Sequence, residues 1–294
     1  MDLQQAQQEM LSRLRPLYED REAAAITDWV MEKITGWKKI DRIIHKNMSL
    51  SQEGLELFQL YTGELEDHRP VQYVLQEAWF AGLKFYVDEQ VLIPRPETEE
   101  LVEWVTEEIR QHEPAYLPGL TGTPAPVILD VGTGSGCIAV TLKKQLPQAQ
   151  VYACDLSREA LAIAERNAIA NQAVIYFHQL DFLDSSQWET LPQVQILVSN
   201  PPYIPLREKE TMAPHVVGFE PHLALFVEDG DPLIFYKALA QFARKKLQPG
   251  GQLFAEIHEG LGEEVKAHFQ ESGFHSVIVK KDMQGKDRMV KATR

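Results

Sequence analysis

The sequence predicts an α/β fold: a Rossmann-like, seven-stranded and mostly parallel sheet, preceded by a small N-terminal helical domain and joined to it by a β-hairpin linker. Three observations lead there. From residue 127 onward, short apolar runs alternate with helical stretches, a pattern that demands a parallel sheet covered on both faces. A glycine-rich loop stands between the first apolar run and the helix after it, where a doubly wound sheet places its ligand crevice. Residues 1–69 read instead as short amphipathic helices.

In that first region, Ile26, Trp29, Val30, Lys33 and Ile34 follow an i, i+3, i+4, i+7, i+8 spacing that ends at Gly36. Ser49 with Gln52 gives a capping-box spacing for another helix, carried by Leu57, Leu60 and Tyr61 and stopping near Gly63. Residues 70–96 change character. β-Favouring runs around Trp79-Phe80 and over 84–87 flank Gly82, and Pro94 and Pro96 close the segment as a hairpin linker. The second domain, 97–294, opens with a helix over 97–112 and a proline- and glycine-rich loop over 114–126. Then come a strand over 127–131, a helix over 136–146, a strand over 151–155 and a helix over 157–171 with Ser157 as N-cap and Leu161, Ala164 and Ala168 on one face. Strands follow over 174–177 and 194–199. A helix over 233–247 leads through Pro249-Gly250-Gly251 into a strand over 252–257, before a helix near 261–271 and strands over 276–280 and 288–292.

A chain of 294 residues suits two domains of unequal size. No stretch approaches the roughly 18 to 20 unbroken apolar residues of a membrane span. The first ten residues are polar without a basic-then-apolar signal pattern, so a cytoplasmic location and no membrane partner are expected. The two cysteines, Cys137 and Cys154, fall in core elements and read as buried small hydrophobes. A formal net charge of -14 disfavours nucleic acid as a partner, because that affinity comes from clustered Lys and Arg releasing counterions. A basic protein partner fits the charge more easily.

The glycine-rich loop reads Asp130-Val131-Gly132-Thr133-Gly134-Ser135-Gly136. Glycines there adopt positive φ and let the backbone approach a ligand, while the helix behind them offers free N–H donors. The G-x-G-x-G spacing is tighter than a dinucleotide fingerprint and leans toward a ligand without phosphate, S-adenosylmethionine being one. Asp155 ends the next strand, about 20 residues on, where a carboxylate accepts hydrogen bonds from ribose hydroxyls. Asp181-Phe182 follows the third strand and suits an adenine amino group and ring face; for Phe182 core packing is an equal reading.

After the fourth strand comes Ser199-Asn200-Pro201-Pro202-Tyr203. Two prolines fix φ, remove N–H donors and hold the preceding residues extended, so the loop is stiff and turns carbonyl oxygens outward. The Asn200 side-chain oxygen and the Pro201 carbonyl can then accept both hydrogens of one NH2 group. That concentrates a delocalised nitrogen lone pair and aims it at a sulfonium methyl. Tyr203 can stack on the planar group. No general base or metal is required, and no H-E-x-x-H or Cys/His cluster occurs. The same loop chemistry serves adenine N6, cytosine N4 and glutamine amide nitrogens.

The chain resembles the HemK/PrmC-type protein-(glutamine-N5) methyltransferases over nearly its whole length. The resemblance is carried by Pro70-Val71-Gln72-Tyr73, the segment 91–99, the glycine loop 130–136, Asp155, Asn200 to Tyr203, the segment 220–225, the segment 247–251 and Gly285-Lys286-Asp287-Arg288. It implies a class I methyltransferase sheet, S-adenosyl-L-methionine as methyl donor and the glutamine of the Gly-Gly-Gln motif of peptide chain release factors as acceptor. It further implies that 1–69 is the domain that grips the release factor, and that 92–99 helps close the cofactor site. Gln76 stands where glycine is usual, and Phe226-Val227-Glu228 replaces a glycine-containing stretch. Two alternatives compete. One is an amino methyltransferase acting on DNA or RNA, which net acidity disfavours. The other is a non-catalytic binding module, against which the intact Asn200, Asp155 and loop glycines weigh.

Overall fold

The computed structural model describes residues 1–111 and 125–294. The loop expected over 114–126 therefore lies outside the described residues, apart from Ala125 and Pro126. The chain forms two compact units, one of Met1–Glu77 with Ala213–Phe219 and the other of Ala78–Met212 with Glu220–Arg294.

The first unit is helical: α1 (Leu3–Leu14), α2 (Asp20–Thr35), α3 (Lys39–Ile44), α4 (Gln52–Glu66), α5 (Val71–Leu75) and, numbered by its place in the chain, α9 (Pro214–Phe219). Ile26 and Val30 of α2 pack into a core with Met10, Leu14, Phe58 and Leu65, while Trp29 at the edge of that stripe stays half exposed. Gly36 ends α2 in the left-handed region, as its place after the last apolar position predicts. The cap of α4 is Ser51, not Ser49: Ser51 Oγ accepts the Gly54 amide at 3.0 Å, whereas Ser49 is held in a backbone bridge to Asp2. Nor does α4 stop at Gly63. Buried Thr62 and Leu65 carry it on to Glu66, and its inner face is Gly54, Phe58, Thr62 and Leu65, with Leu60 exposed. Gln76 caps α5 at φ 53°, a left-handed position that glycine adopts without steric cost, so the glycine usual there has a backbone reason.

In the second unit, β1 (Ala78–Phe80) and β2 (Leu83–Phe85) form the expected antiparallel hairpin, and α6 (Pro96–Gln111) follows. Seven strands then build one sheet with interleaved helices: β3 (Val127–Val131), α7 (Cys137–Gln145), β4 (Gln150–Asp155), α8 (Arg158–Ala170), β5 (Ile175–Gln179), β6 (Val194–Ser199), α11 (Ile234–Lys246), β9 (Leu247–Glu256), α12 (Gly262–Glu271), β10 (Ser276–Lys281) and β11 (Asp287–Thr293). Between β6 and α11 lie a two-stranded parallel pair, β7 (Ile204–Pro205) with β8 (Phe226–Val227), and the short α10 (His222–Leu225).

The sheet order is β10-β11-β9-β6-β3-β4-β5. Its five strands from β9 to β5 run parallel, and β11 enters antiparallel between β9 and β10. Alternate residues of the central strands feed two cores: Leu129, Val131 and Leu197 pack with Tyr236, Phe242 and Phe269, whereas Ile128, Ile196 and Val198 pack with Leu101, Val105 and Ile138. The chain enters the sheet at β3, winds outward through β4 and β5, then returns to β6 on the other side of β3. The carboxyl ends of β3 and β6 therefore form the switch point at which open α/β sheets hold ligands.

Candidate active site

Val131 pairs with Ser199 across the two central strands, so the glycine loop after β3 and the Asn-Pro-Pro loop after β6 start side by side. Ser199 Oγ donates to the Val131 carbonyl at 2.8 Å and ties the two exits together. A cavity of about 350 Å³ opens between them, lined by Gly132, Gly134, Asp155, Phe182 and Asn200 to Pro202 among others.

Gly132 and Gly134 have φ of 72° and 53°, and a Cβ added at either would meet no atom within 4 Å. What their bareness keeps clear is the cavity they line. Gly136 has a different duty, because a Cβ there would sit 3.1 Å from Ala164 Cβ; it lets α7 approach α8. Thr133 and Ser135 are buried and do not line the cavity. Thr133 Oγ1 donates to Asp130 Oδ2 at 2.7 Å, and the Ser135 carbonyl accepts from Asn167 Nδ2 at 2.9 Å, so both build the loop from behind.

Asp130 is fully buried, and desolvation pushes its pKa up to about 7 against the opposing Thr133 hydroxyl and Ala139 amide. Its Oδ1 makes no hydrogen bond of good geometry. Asp155 lines the cavity: Oδ2 accepts the Gly134 amide and Oδ1 the Ser157 amide, each at 2.9 Å. Burial raises its pKa, and the same backbone amides oppose that shift. An ionised carboxylate offers about four lone-pair sites, so these two bonds leave acceptor capacity on the cavity side. Phe182 lines the cavity and also packs in the core, its ring 5.3 Å from Trp188 and 5.4 Å from Phe242.

Tyr203 is not brought to the cavity. Its hydroxyl donates to Glu256 Oε1 at 2.8 Å, and burial with the adjacent negative charge raises its pKa. Asn200 Nδ2 donates to Thr98 Oγ1 at 3.0 Å, and Thr98 Oγ1 donates to Glu256 Oε2 at 2.7 Å. Residue reading missed Thr98 and Glu256 as site residues. An acid at the end of the apolar run Leu253-Phe254-Ala255, as Asp155 follows Ala153-Cys154, was the available signal for Glu256.

Two further features brace the site. Arg95 Nη2 pairs with the buried Glu220 Oε1 at 2.5 Å, and Glu220 Oε2 accepts the Ile93 amide at 3.3 Å. This joins the 92–99 segment to the 220–225 segment, and Leu92 and Pro221 beside these contacts line the cavity. Phe226 and Val227 pair with Ile204 and Pro205, so the departure at 226–228 places a strand directly behind the Asn-Pro-Pro-Tyr loop. Among the described residues no group of three or more His, Cys, Asp and Glu side chains is placed to hold a metal ion, and no helix is long and apolar enough to cross a membrane.

The PrmC N-terminal domain family matches residues 5–75, and the methyltransferase small domain family matches residues 115–217. Among curated relatives, the release factor glutamine methyltransferase of Flavobacterium psychrophilum is 39% identical over 284 residues, spanning 96% of each chain. That of Bacteroides thetaiotaomicron is 37% identical over 281 residues, again 96% of each. Among solved structures, the hMettl16 catalytic domain superposes with a TM-score of 0.54 at 17% identity, covering 83% of both chains. The T. thermophilus 16S rRNA N2 G1207 methyltransferase superposes with a TM-score of 0.50 at 17% identity, covering 74% of this chain and 49% of that one. These structural likenesses show the fold alone, a Rossmann-like, mostly parallel sheet covered by helices.

Proposed function

This chain belongs to the release factor glutamine methyltransferase family, and on that premise we propose that it methylates the side-chain amide nitrogen (N5) of the Gly-Gly-Gln glutamine in peptide chain release factors, with S-adenosyl-L-methionine as donor. The observation that carries this reading is the meeting of the glycine loop and Asn200-Pro201-Pro202 at one cavity on the switch point. The residues present fit the donor: bare Gly132 and Gly134 leave room for a nucleoside, and Asp155 retains acceptor capacity for ribose hydroxyls. When bound, S-adenosyl-L-methionine supplies an electrophilic methyl group.

The chain's own residues then have distinct tasks. An amide nitrogen is a weak nucleophile because its lone pair is delocalised into the carbonyl. Asn200 Oδ1 and the Pro201 carbonyl accept the two N–H bonds of that nitrogen, which orients it and gathers the lone pair on the side facing the methyl. Pro201 and Pro202 keep the loop stiff, so the acceptors need no reorganisation as charge develops on nitrogen. The new N–C bond replaces the S–CH3 bond of the donor, which would leave as the neutral thioether, and the acidic cationic product nitrogen gives its proton to water without a strong base. Residues 1–69 are the domain that grips the release factor, and 97–294 carry the chemistry, in the cytosol where this partner places it. Transfer of labelled methyl to a purified release factor tests the proposal, beside a Gly-Gly-Ala variant and a nucleic-acid control. Label on the unaltered factor alone supports the glutamine amide as acceptor; label on nucleic acid alone refutes it.

A further inference from the structure

Asn200 is tied down at the nitrogen end of its amide. Nδ2 donates to Thr98 Oγ1 at 3.0 Å, Thr98 Oγ1 donates to Glu256 Oε2 at 2.7 Å, and the Tyr203 hydroxyl donates to Glu256 Oε1 at 2.8 Å. Thr98 and Glu256 are each 2% exposed, and neither lines the cavity. They stand behind Asn200 and have no surface to offer a ligand.

The chemistry of the chain of bonds sets its direction. An ionised carboxylate only accepts. Thr98 has one hydroxyl proton, and Glu256 takes it, so toward Asn200 the Thr98 oxygen can only accept. The Asn200 amide must therefore turn its NH2 toward Thr98 and leave Oδ1 for the other side. Burial and the nearby Glu97 charge raise the Glu256 pKa, and the hydrogen bonds from Thr98 and Tyr203 and the charge of Arg288 oppose that shift. The two flips of an amide are nearly the same in shape, so packing alone does not choose between them. The wrong flip would face an incoming NH2 with another NH2, donor against donor.

We propose that Thr98 and Glu256 are positioning residues for methyl transfer, which fix the flip of the Asn200 amide so that its oxygen is the acceptor offered to the substrate nitrogen. The inference rests on the reading above in which Asn200 receives an N–H of the acceptor amide. It also gives Tyr203 a place: its hydroxyl occupies the second oxygen of Glu256 and keeps that carboxylate from rotating away from Thr98.

Thr98→Val keeps the shape and removes the hydroxyl, while Thr98→Ser restores it. With release factor as acceptor, Thr98→Val is expected to lower kcat about 10- to 100-fold, with the calorimetric Kd for S-adenosylmethionine within about threefold of wild type. Thr98→Ser is expected to return kcat to within about threefold. A Thr98→Val kcat within twofold of wild type overturns the proposal, as does an equal fall in both variants or a loss of cofactor affinity that matches the loss of kcat. A second measurement needs no Thr98 variant. In the ¹⁵N-labelled wild-type chain, with the Asn200 side-chain signals assigned by their loss in Asn200→Asp, the amide protons are expected to exchange with solvent at least about tenfold more slowly than those of an exposed asparagine. Exchange of both protons at the exposed rate overturns the flip assignment. Inactivity of the wild-type chain on release factor would fail the proposed substrate and leave the flip to be decided by exchange alone.

Discussion

Replacing Asp155 by alanine is the perturbation with the most to say about the cofactor site. Its two carboxylate oxygens already accept the Gly134 and Ser157 amides, so the side chain both holds the glycine loop and faces the cavity. A hydrogen bond to a charged group contributes about 1.5 to 3 kcal/mol net, and two such bonds to ribose hydroxyls are not additive. A loss of about 2 to 3 kcal/mol is expected, which is roughly a 30- to 150-fold rise in Kd for S-adenosylmethionine. Loosening of the loop could produce part of that loss without any contact to ribose. Titration calorimetry with S-adenosylhomocysteine and its 2′,3′-dideoxy analogue separates the two. Wild type should bind the analogue at least about tenfold more weakly, and Asp155→Ala should distinguish the two ligands by less than about threefold. An unchanged preference for the full ribose in Asp155→Ala would refute the ribose role and leave Asp155 as a loop clamp.

Two other substitutions test different links. Asn200→Ala should lower turnover on release factor by about 100-fold or more while the Kd for S-adenosylmethionine stays within a few fold, since the lost acceptor acts on the nucleophile; turnover near wild type would sink the mechanism. Asp130 has a folded-state pKa of about 7 against 3.8 for an ordinary aspartate. Between those values the folded chain keeps a proton that the unfolded chain has released, so stability falls as pH rises through the window, by at most about 1.4 kcal/mol per unit. Asp130→Asn removes the titration and keeps an acceptor for Thr133. Urea unfolding from pH 5 to pH 8 should show wild type losing about 2 to 3 kcal/mol relative to the variant, whereas parallel curves would mean that Asp130 does not titrate in that window.

What could be read in the sequence was local. The β3 and β6 strands are apolar runs closed by glycine or proline signals, and Ser157 caps α8 where its spacing placed it, accepting the Ala160 amide at 3.0 Å. The two motif loops were legible for the same reason, because their stiffness comes from the glycines and prolines themselves. Choices made by tertiary partners were not legible. Ser49 and Ser51 are equivalent as helix caps, and the bridge from Ser49 to Asp2 decides between them. Trp29 and Leu60 fit a helical period but face outward, because the buried stripes are centred on Val30 and on Phe58. That the Tyr203 hydroxyl donates to Glu256, 53 positions away, has no local signal either. Gly136 shares the glycine motif but answers to Ala164. The chain from Asn200 to Thr98 to Glu256 joins residues 102 and 158 positions apart, and no local pattern reports such a contact.

The most direct test of the central claim, that this cavity presents a glutamine amide nitrogen to a methyl donor, is to locate the methyl on the reacted protein. Intact release factor is incubated with the chain and S-adenosylmethionine, digested, and sequenced by tandem mass spectrometry. One methyl is expected, on the side-chain amide of the Gly-Gly-Gln glutamine, with an initial yield lower by about 100-fold or more when Asn200→Ala replaces the wild-type chain. A methyl on any other residue, or an equal yield from Asn200→Ala, would contradict that claim.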